Sequence, residues 1–168
     1  MTRKYLLVSV LFLSFFQISC LKNNVAECSY SPCKFVAPNS EITAITNYLS
    51  ANSLSATQHC SGVFYTITTA GTGKQPNACS GVNVKYTGKL TNGNTFDQQV
   101  VNPVGIDLNN VINGWKIGIP LIKEGGTMTL YIPPYMGYGA QDIKDANGNI
   151  LIPANSIIIF TIELTAVL

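Results

Sequence analysis

The sequence predicts an α+β fold, a curved antiparallel sheet of about five strands wrapped around one short α-helix. Three observations support it. Runs of alternating apolar and polar residues recur between residues 63 and 164, bounded by Gly, Pro and Asn. Within that span, Asn113 to about Ile119 carries the one helix expected there. No internal repeat or compositional break divides residues 62–168, so the strands must close over the helix as one body.

In the first strand Val63, Tyr65 and Ile67 alternate with Phe64, Thr66 and Thr68, until Gly71-Thr72-Gly73 breaks the pattern. In the next, Val82, Val84 and Tyr86 share one face and Asn83 and Lys85 the other. Thr91-Asn92-Gly93-Asn94 contains the Asn-Gly signal of a tight turn, and Thr95-Phe96-Asp97 leads back from it. Pro103 to Leu108 is a separate strand candidate with Val104, Ile106 and Leu108 on one face. The short helix follows, stopped near Pro120 and finished by Gly125-Gly126. Thr127 to Ile132 places Met128, Leu130 and Ile132 inward before Pro133-Pro134 ends the strand. Gly137 to Asn149, rich in Gly, Asp and Asn, reads as a surface loop. In the last strand Ile158, Phe160, Ile162 and Leu164 share a face opposite Thr161 and Glu163. The charge on Glu163 belongs in water, so Phe160 looks inward.

The N-terminal third reads differently. Arg3 and Lys4 precede an almost unbroken apolar run from Tyr5 to Phe16. That run is shorter than the roughly 20 residues a bilayer span needs, but it fits a secretory signal. It ends in Gln17-Ile18-Ser19-Cys20, which resembles a bacterial lipobox although Gln17 replaces the usual aliphatic residue. Residues 1–19 are therefore expected to be a lipoprotein signal peptide and 20–61 a tether lipidated at Cys20, leaving 62–168 as the domain. The alternative is an ordinary signal cleaved nearby. Two acyl groups at one cysteine suffice for stable anchoring, where one is marginal.

Leu21 to Pro38 is polar and aperiodic. Ser40 can then cap a helix of about ten residues ending before Asn52, with Glu41 in its first turn. Ile42, Ile45 and Leu49 form its apolar stripe, to be packed on the domain or on a second copy. An exported chain changes the reading of Cys28, Cys33, Cys60 and Cys79, an even set in an oxidising compartment. Three pairings are open, and proximity in the chain favours Cys28–Cys33 with Cys60–Cys79. With a single histidine, His59, and no C-x-x-C pair, no metal site is expected.

Composition narrows the function. Charged residues make up only 11% of the chain, and removing Arg3 and Lys4 leaves eight lysines against eight acidic residues. A near-neutral surface without basic runs has no electrostatic footprint for nucleic acid.

The ordered set Val84-Lys85-Tyr86-Thr87-Gly88, Gly93-x-x-Phe96-Asp97, Val111-Ile112-x-Gly114-Trp115, Tyr138-Gly139 and Ile152-Pro153-x-Asn155-Ser156-x-Ile158-x-Phe160 resembles the FKBP-type peptidyl-prolyl cis–trans isomerases over about residues 62–168. Each motif is common alone; their order and spacing carry the resemblance. It implies an FKBP-like fold, with Trp115 as the floor of a pocket and Tyr86, Phe96 and Phe160 as its aromatic walls. Val111 and Ile112 become the rim, with Val104 and Ile152 as further substrate contacts, and the Ile112 N–H holds a substrate carbonyl. The Tyr138 hydroxyl meets the carbonyl beside proline, and Asp97 is the one charged group. Tyr86, Asp97, Tyr138 and Phe160 are thus the implied catalytic set.

The implied activity is isomerisation of X–Pro bonds in exported proteins, with no cofactor. The partners are proline-containing segments, and the location is the cell envelope, on the periplasmic side of the outer membrane through Cys20. A tethered chaperone that binds such segments without turnover is the alternative. Departures from the family pattern are a segment between Asp97 and Pro103 two residues shorter, no arginine to pair with Asp97, a smaller Val104, and a short connection from Leu108 to Val111. The loop from Gly139 to Ile152 is also longer than in the smallest members and is expected to overhang the pocket. They weigh against a macrolide ligand, which other members take.

Overall fold

The structure, a computed structural model, describes residues 28–168. The expected signal peptide and Cys20 lie outside the described residues. Helix α1 (Asn39–Ala51) comes first, then strands β1 (Thr57–Gln58), β2 (Phe64–Thr69), β3 (Gly81–Leu90) and β4 (Thr95–Asp107). Helix α2 (Asn113–Gly118) separates these from β5 (Thr127–Ile132), the small strands β6 (Ile143–Lys144) and β7 (Ile150–Ile152), and β8 (Ile158–Val167). The main sheet is ordered β1-β2-β5-β8-β3-β4 and antiparallel throughout, while β6 and β7 form a separate hairpin. No described helix is long and apolar enough to cross a membrane.

The inward faces fall as the alternation predicts. Met128, Leu130 and Ile132 of β5 and Ile158, Phe160, Ile162 and Leu164 of β8 are all buried, and they meet Trp115 and Ile117 of α2 in one core. The short helix lies close to β5 because Gly114 faces it. A Cβ there would come within 2.6 Å of the Ile132 side chain. After α2, Pro120 sits in a 3-10 turn (Ile119–Leu121) rather than in the helix, where it would cost a hydrogen bond.

The opposite face of the sheet carries a second cluster. Ile45 and Leu49 of α1 pack with Phe64 and Tyr131, so the stripe of α1 is spent on the domain. Ser40 does not cap this helix. The chain enters α1 two residues earlier, with Pro38 in the capping position and no side-chain cap.

Three further expectations change. Thr95–Asp97 and the expected strand from Pro103 belong to one long edge strand that ends at Asp107, with Leu108 in the turn that follows. The strand absorbs the residues after Gln99 in a bulge, since Tyr86 pairs with Gln99 but Val84 with Val104. Proline is tolerated there because an edge strand has a side without a ladder partner. The expected loop from Gly137 to Asn149 contains part of the β6–β7 hairpin, whose turn is held by Asp145 accepting the N–H groups of Asn147 and Asn149.

The disulfides join Cys28 to Cys79 and Cys33 to Cys60, not Cys28 to Cys33 and Cys60 to Cys79. The Cα separations of 5.7 and 5.5 Å suit the linkages. The segment from Cys28 to Cys33 runs along the domain, with Tyr30 against the main core, so its two ends reach different anchors.

Candidate functional site

The concave side of the sheet holds a cavity of about 280 Å³ between β3, β4, β8 and α2. Its floor is Trp115, 4% exposed, whose Nε1 is buried without a hydrogen-bond partner. The floor therefore offers a flat ring and no polar group. Two walls stand on it edge to face. The centroid of Phe160 is 5.0 Å from Trp115 with planes at 86°, and that of Tyr86 is 5.1 Å away at 81°. Edge-to-face contacts set the positive ring edge against the negative ring face, which fixes the angle between walls as well as their distance. Gly88 makes room for this box, since a Cβ there would lie 2.7 Å from the rings of both Phe160 and Phe96.

The rim comes from the turn before α2. Asp107 accepts the Asn109 N–H at 2.9 Å and the Asn110 amide at 3.1 Å, folding a 3-10 turn (Leu108–Asn110). Lys116 Nζ of α2 donates to the Asn109 carbonyl at 2.7 Å and ties that turn to the helix. Val111 and Ile112 follow and line the cavity. The Ile112 carbonyl receives the N–H groups of Trp115 and Lys116, while its own N–H makes no hydrogen bond among the described residues.

The polar side is small. Among the described residues Asp97 is the only charged one on the cavity, and the Tyr86 hydroxyl donates to its Oδ2 at 2.8 Å. Burial first, and then that bond and charge, push the Tyr86 hydroxyl up to about 12. Tyr138 stands at the mouth, 36% exposed, and its hydroxyl is also held above the ordinary value by burial and then by Asp97. Both hydroxyls thus keep their protons at neutral pH.

Of the residues expected at the site, Tyr86, Asp97, Val111, Ile112, Trp115, Tyr138 and Phe160 meet at the cavity. Phe96, Val104 and Ile152 do not. Phe96 backs the wall, edge-on to Phe160 at 5.5 Å, Val104 packs half-buried on the core, and Ile152 is 3% exposed within it. Ile106 and Asn110 line the cavity and were missed. The alternation of Val104 with Ile106 contained the signal for the first. Asn110 had none, because its place depends on the 3-10 turn.

Other candidate chemistry is already accounted for. Cys33, His59 and Cys60 are the one cluster of metal-type donors among the described residues, and both thiols are taken up in the Cys33–Cys60 disulfide.

The geometry agrees with comparisons to known proteins. The model of the family described as FKBP-type peptidyl-prolyl cis-trans isomerase matches residues 72–165. A relative named a probable FKBP-type peptidyl-prolyl cis-trans isomerase, from Haemophilus influenzae, is 42% identical over 105 residues, which are 61% of this chain and 42% of that protein. The crystal structure of a peptidyl-prolyl cis-trans isomerase from Pseudomonas syringae superposes with a TM-score of 0.65 at 31% identity, covering 78% of this chain and 96% of that one. That of FkpA from Escherichia coli gives 0.64 at 31% identity, covering 77% and 60%. The chain spans less than half the length of the curated relatives it matches. With the family match over more than half of the chain, and with the fold and cavity already described, the chain belongs to the FKBP-type peptidyl-prolyl cis-trans isomerase family.

Proposed function

We propose that this protein is a peptidyl-prolyl cis–trans isomerase acting on proline-containing segments of exported proteins. The observation that carries the reading is the dry aromatic box, in which a buried tryptophan without a polar contact forms the floor and two rings stand edge-on to it. Rotation about an X–Pro bond is slow because it breaks amide resonance, at a barrier of about 18–20 kcal/mol. Resonance puts negative charge on the carbonyl oxygen, and water stabilises that charge. An apolar cavity supports the planar amide less well than the twisted one, where charge separation is lost, so it favours the transition state.

In this reading proline rests on Trp115 between Tyr86 and Phe160. The free N–H of Ile112 holds a substrate carbonyl, and Tyr138 donates its hydroxyl to the carbonyl beside the proline. Asp97 orients Tyr86 and sets the negative potential at the cavity. No bond is made or cut, so the reaction calls for no nucleophile.

Lipidation at Cys20 after removal of residues 1–19 places the enzyme in the cell envelope, facing the periplasm from the outer membrane. Two disulfides suit that oxidising setting. The test of the activity is a tetrapeptide X–Pro isomerisation assay on the full chain in detergent. Acceleration over buffer is the expected result. A chain that binds such peptides and leaves the rate unchanged is a tethered chaperone instead. For the anchor, Cys20→Ser is expected to move the protein from the membrane to the soluble fraction, and unchanged fractionation refutes lipidation.

A further inference from the structure

Tyr138 follows a segment with an unusual hydrogen-bonding problem. Pro133 and Pro134 have no N–H, and the 3-10 turn they start (Pro134–Met136) bonds internally only from Met136 N–H to the Pro133 carbonyl and Gly137 N–H to the Pro134 carbonyl. The first N–H groups of any helical turn lack partners within it. Here that leaves the N–H of Tyr135. It donates at 2.9 Å to Oε2 of Glu41, from the first turn of α1 and 94 residues away in the chain. Below this bond Met136 is fully buried, and the turn closes with Gly139 N–H on the Pro134 carbonyl and Asn155 N–H on the Gly139 carbonyl. Tyr138 lies inside that closed path, so the bond at Tyr135 is one of the constraints on where its ring stands.

We propose that Glu41 is a positioning residue for Tyr138: its carboxylate caps the Pro134–Met136 turn from outside and so holds the Tyr138 hydroxyl at the cavity mouth. The proposal rests on the isomerase reading and deepens it. A carboxylate is suited to this task, because a charged acceptor makes a shorter and stronger bond to a backbone N–H than a neutral one does. Glu41 lies outside the matched residues 72–165, so the accessory helix is part of the site's support as well as a cover for the sheet. The rest of α1 supplies the rigidity. Ile45 and Leu49 are packed on Phe64 and Tyr131, and the Ala37 N–H on the Ser61 carbonyl fixes the approach to the helix.

The experiment compares Glu41→Ala, Glu41→Gln and Tyr138→Phe, and the double variant Glu41→Ala/Tyr138→Phe, in the full chain in detergent. Their kcat and KM are read separately, and amide exchange at Tyr135 is followed by NMR. Glu41→Ala is expected to lower kcat by roughly three- to tenfold with KM within about twofold, and to speed Tyr135 amide exchange by roughly tenfold or more, the scale of one lost charge-assisted hydrogen bond. Glu41→Gln keeps an oxygen acceptor and is expected to restore most of kcat. In the Tyr138→Phe background, the loss of Glu41 is expected to change kcat by less than about twofold, because its route to the chemistry is gone. Wild-type kcat in a folded Glu41→Ala protein overturns the proposal. So does an equal loss in the Tyr138→Phe background. A wild-type chain without turnover removes the isomerase reading; unchanged Tyr135 protection in Glu41→Ala removes the positioning claim independently of it.

Discussion

Leu130 and Tyr131 are neighbours on β5 and belong to opposite worlds. Leu130 points to the concave side with Trp115 and Phe160, and Tyr131 to the convex side with Ile45 and Leu49. Both clusters are apolar and both are closed by a helix. On the convex side α1 seals the apolar patch around Phe64 and Tyr131, leaving Ile45 fully buried and Leu49 6% exposed, while Thr161 and Glu163 of the same face stay in water. On the concave side α2 has only six residues and leaves a cavity open beside it. The difference lies in how completely each helix covers the apolar residues beneath it. A complete cover gives stability alone, and an incomplete one gives a dry surface that a ligand can use.

Substitutions can break that comparison. Trp115→Ala is expected to have the largest effect, costing about 3–5 kcal/mol for a buried aromatic. Turnover should fall by roughly a hundredfold, the scale of loss when a bound group is displaced by an ångström. Denaturant unfolding and the peptide assay read the two effects. Leu49→Ala on the convex side should cost about 2–5 kcal/mol and leave turnover unchanged below its unfolding transition. A matching loss of kcat there would mean that the two faces are not separable.

Gly88→Ala tests the fit of the walls. Its new methyl would press on Phe160 and Phe96, costing about 1–3 kcal/mol by overpacking, with a loss of turnover larger than that of any convex-side variant of equal stability. The smallest effect is on alkaline stability. Tyr86 ionises at about 12 in the folded protein and near 10 when unfolded. Its contribution is full below pH 10 and is lost as pH rises through about 12, because the unfolded chain ionises first. Tyr131 is shifted upward too, so the sharper measurement is the unfolding midpoint of Tyr86→Phe across pH 8 to 12, which should fall less steeply than that of the wild type.

The features legible in the sequence were those with a local cause. Glu163 could only face water, and this placed Phe160, three residues before it, on the inner face. Pro120 and Gly125-Gly126, which stop a helix, bounded α2. The misread features depend on contacts between distant segments. Proximity in the chain, which reflects only how easily loops close in the unfolded chain, favours the wrong cysteine pairs, whereas the native pairing follows the path of the Cys28–Cys33 segment across the domain. The shared face of Val104, Ile106 and Leu108 reads as a separate strand from Pro103, but the backbone runs on through it, since at a bulged sheet edge the donor that proline lacks is not needed. Glu41 gave the same kind of error. Its helical position suggested a local role in the first turn of α1, and its partner lies in a turn 94 residues away.

The Cys28–Cys79 bond has a consequence for reach. Cys79 sits beside the pocket rim, its carbonyl accepting from Asn109, and Asn109 adjoins the cavity-lining Asn110. On the proposed lipid anchor, the eight residue steps from Cys20 to Cys28 span at most about 28 Å when fully extended. Such a leash would be attached at the working end of the domain rather than at its back. On that proposed anchor Cys28 would stay within that distance of the headgroups, with the pocket rim beside its partner Cys79, and a client would be met near the bilayer rather than in the open compartment.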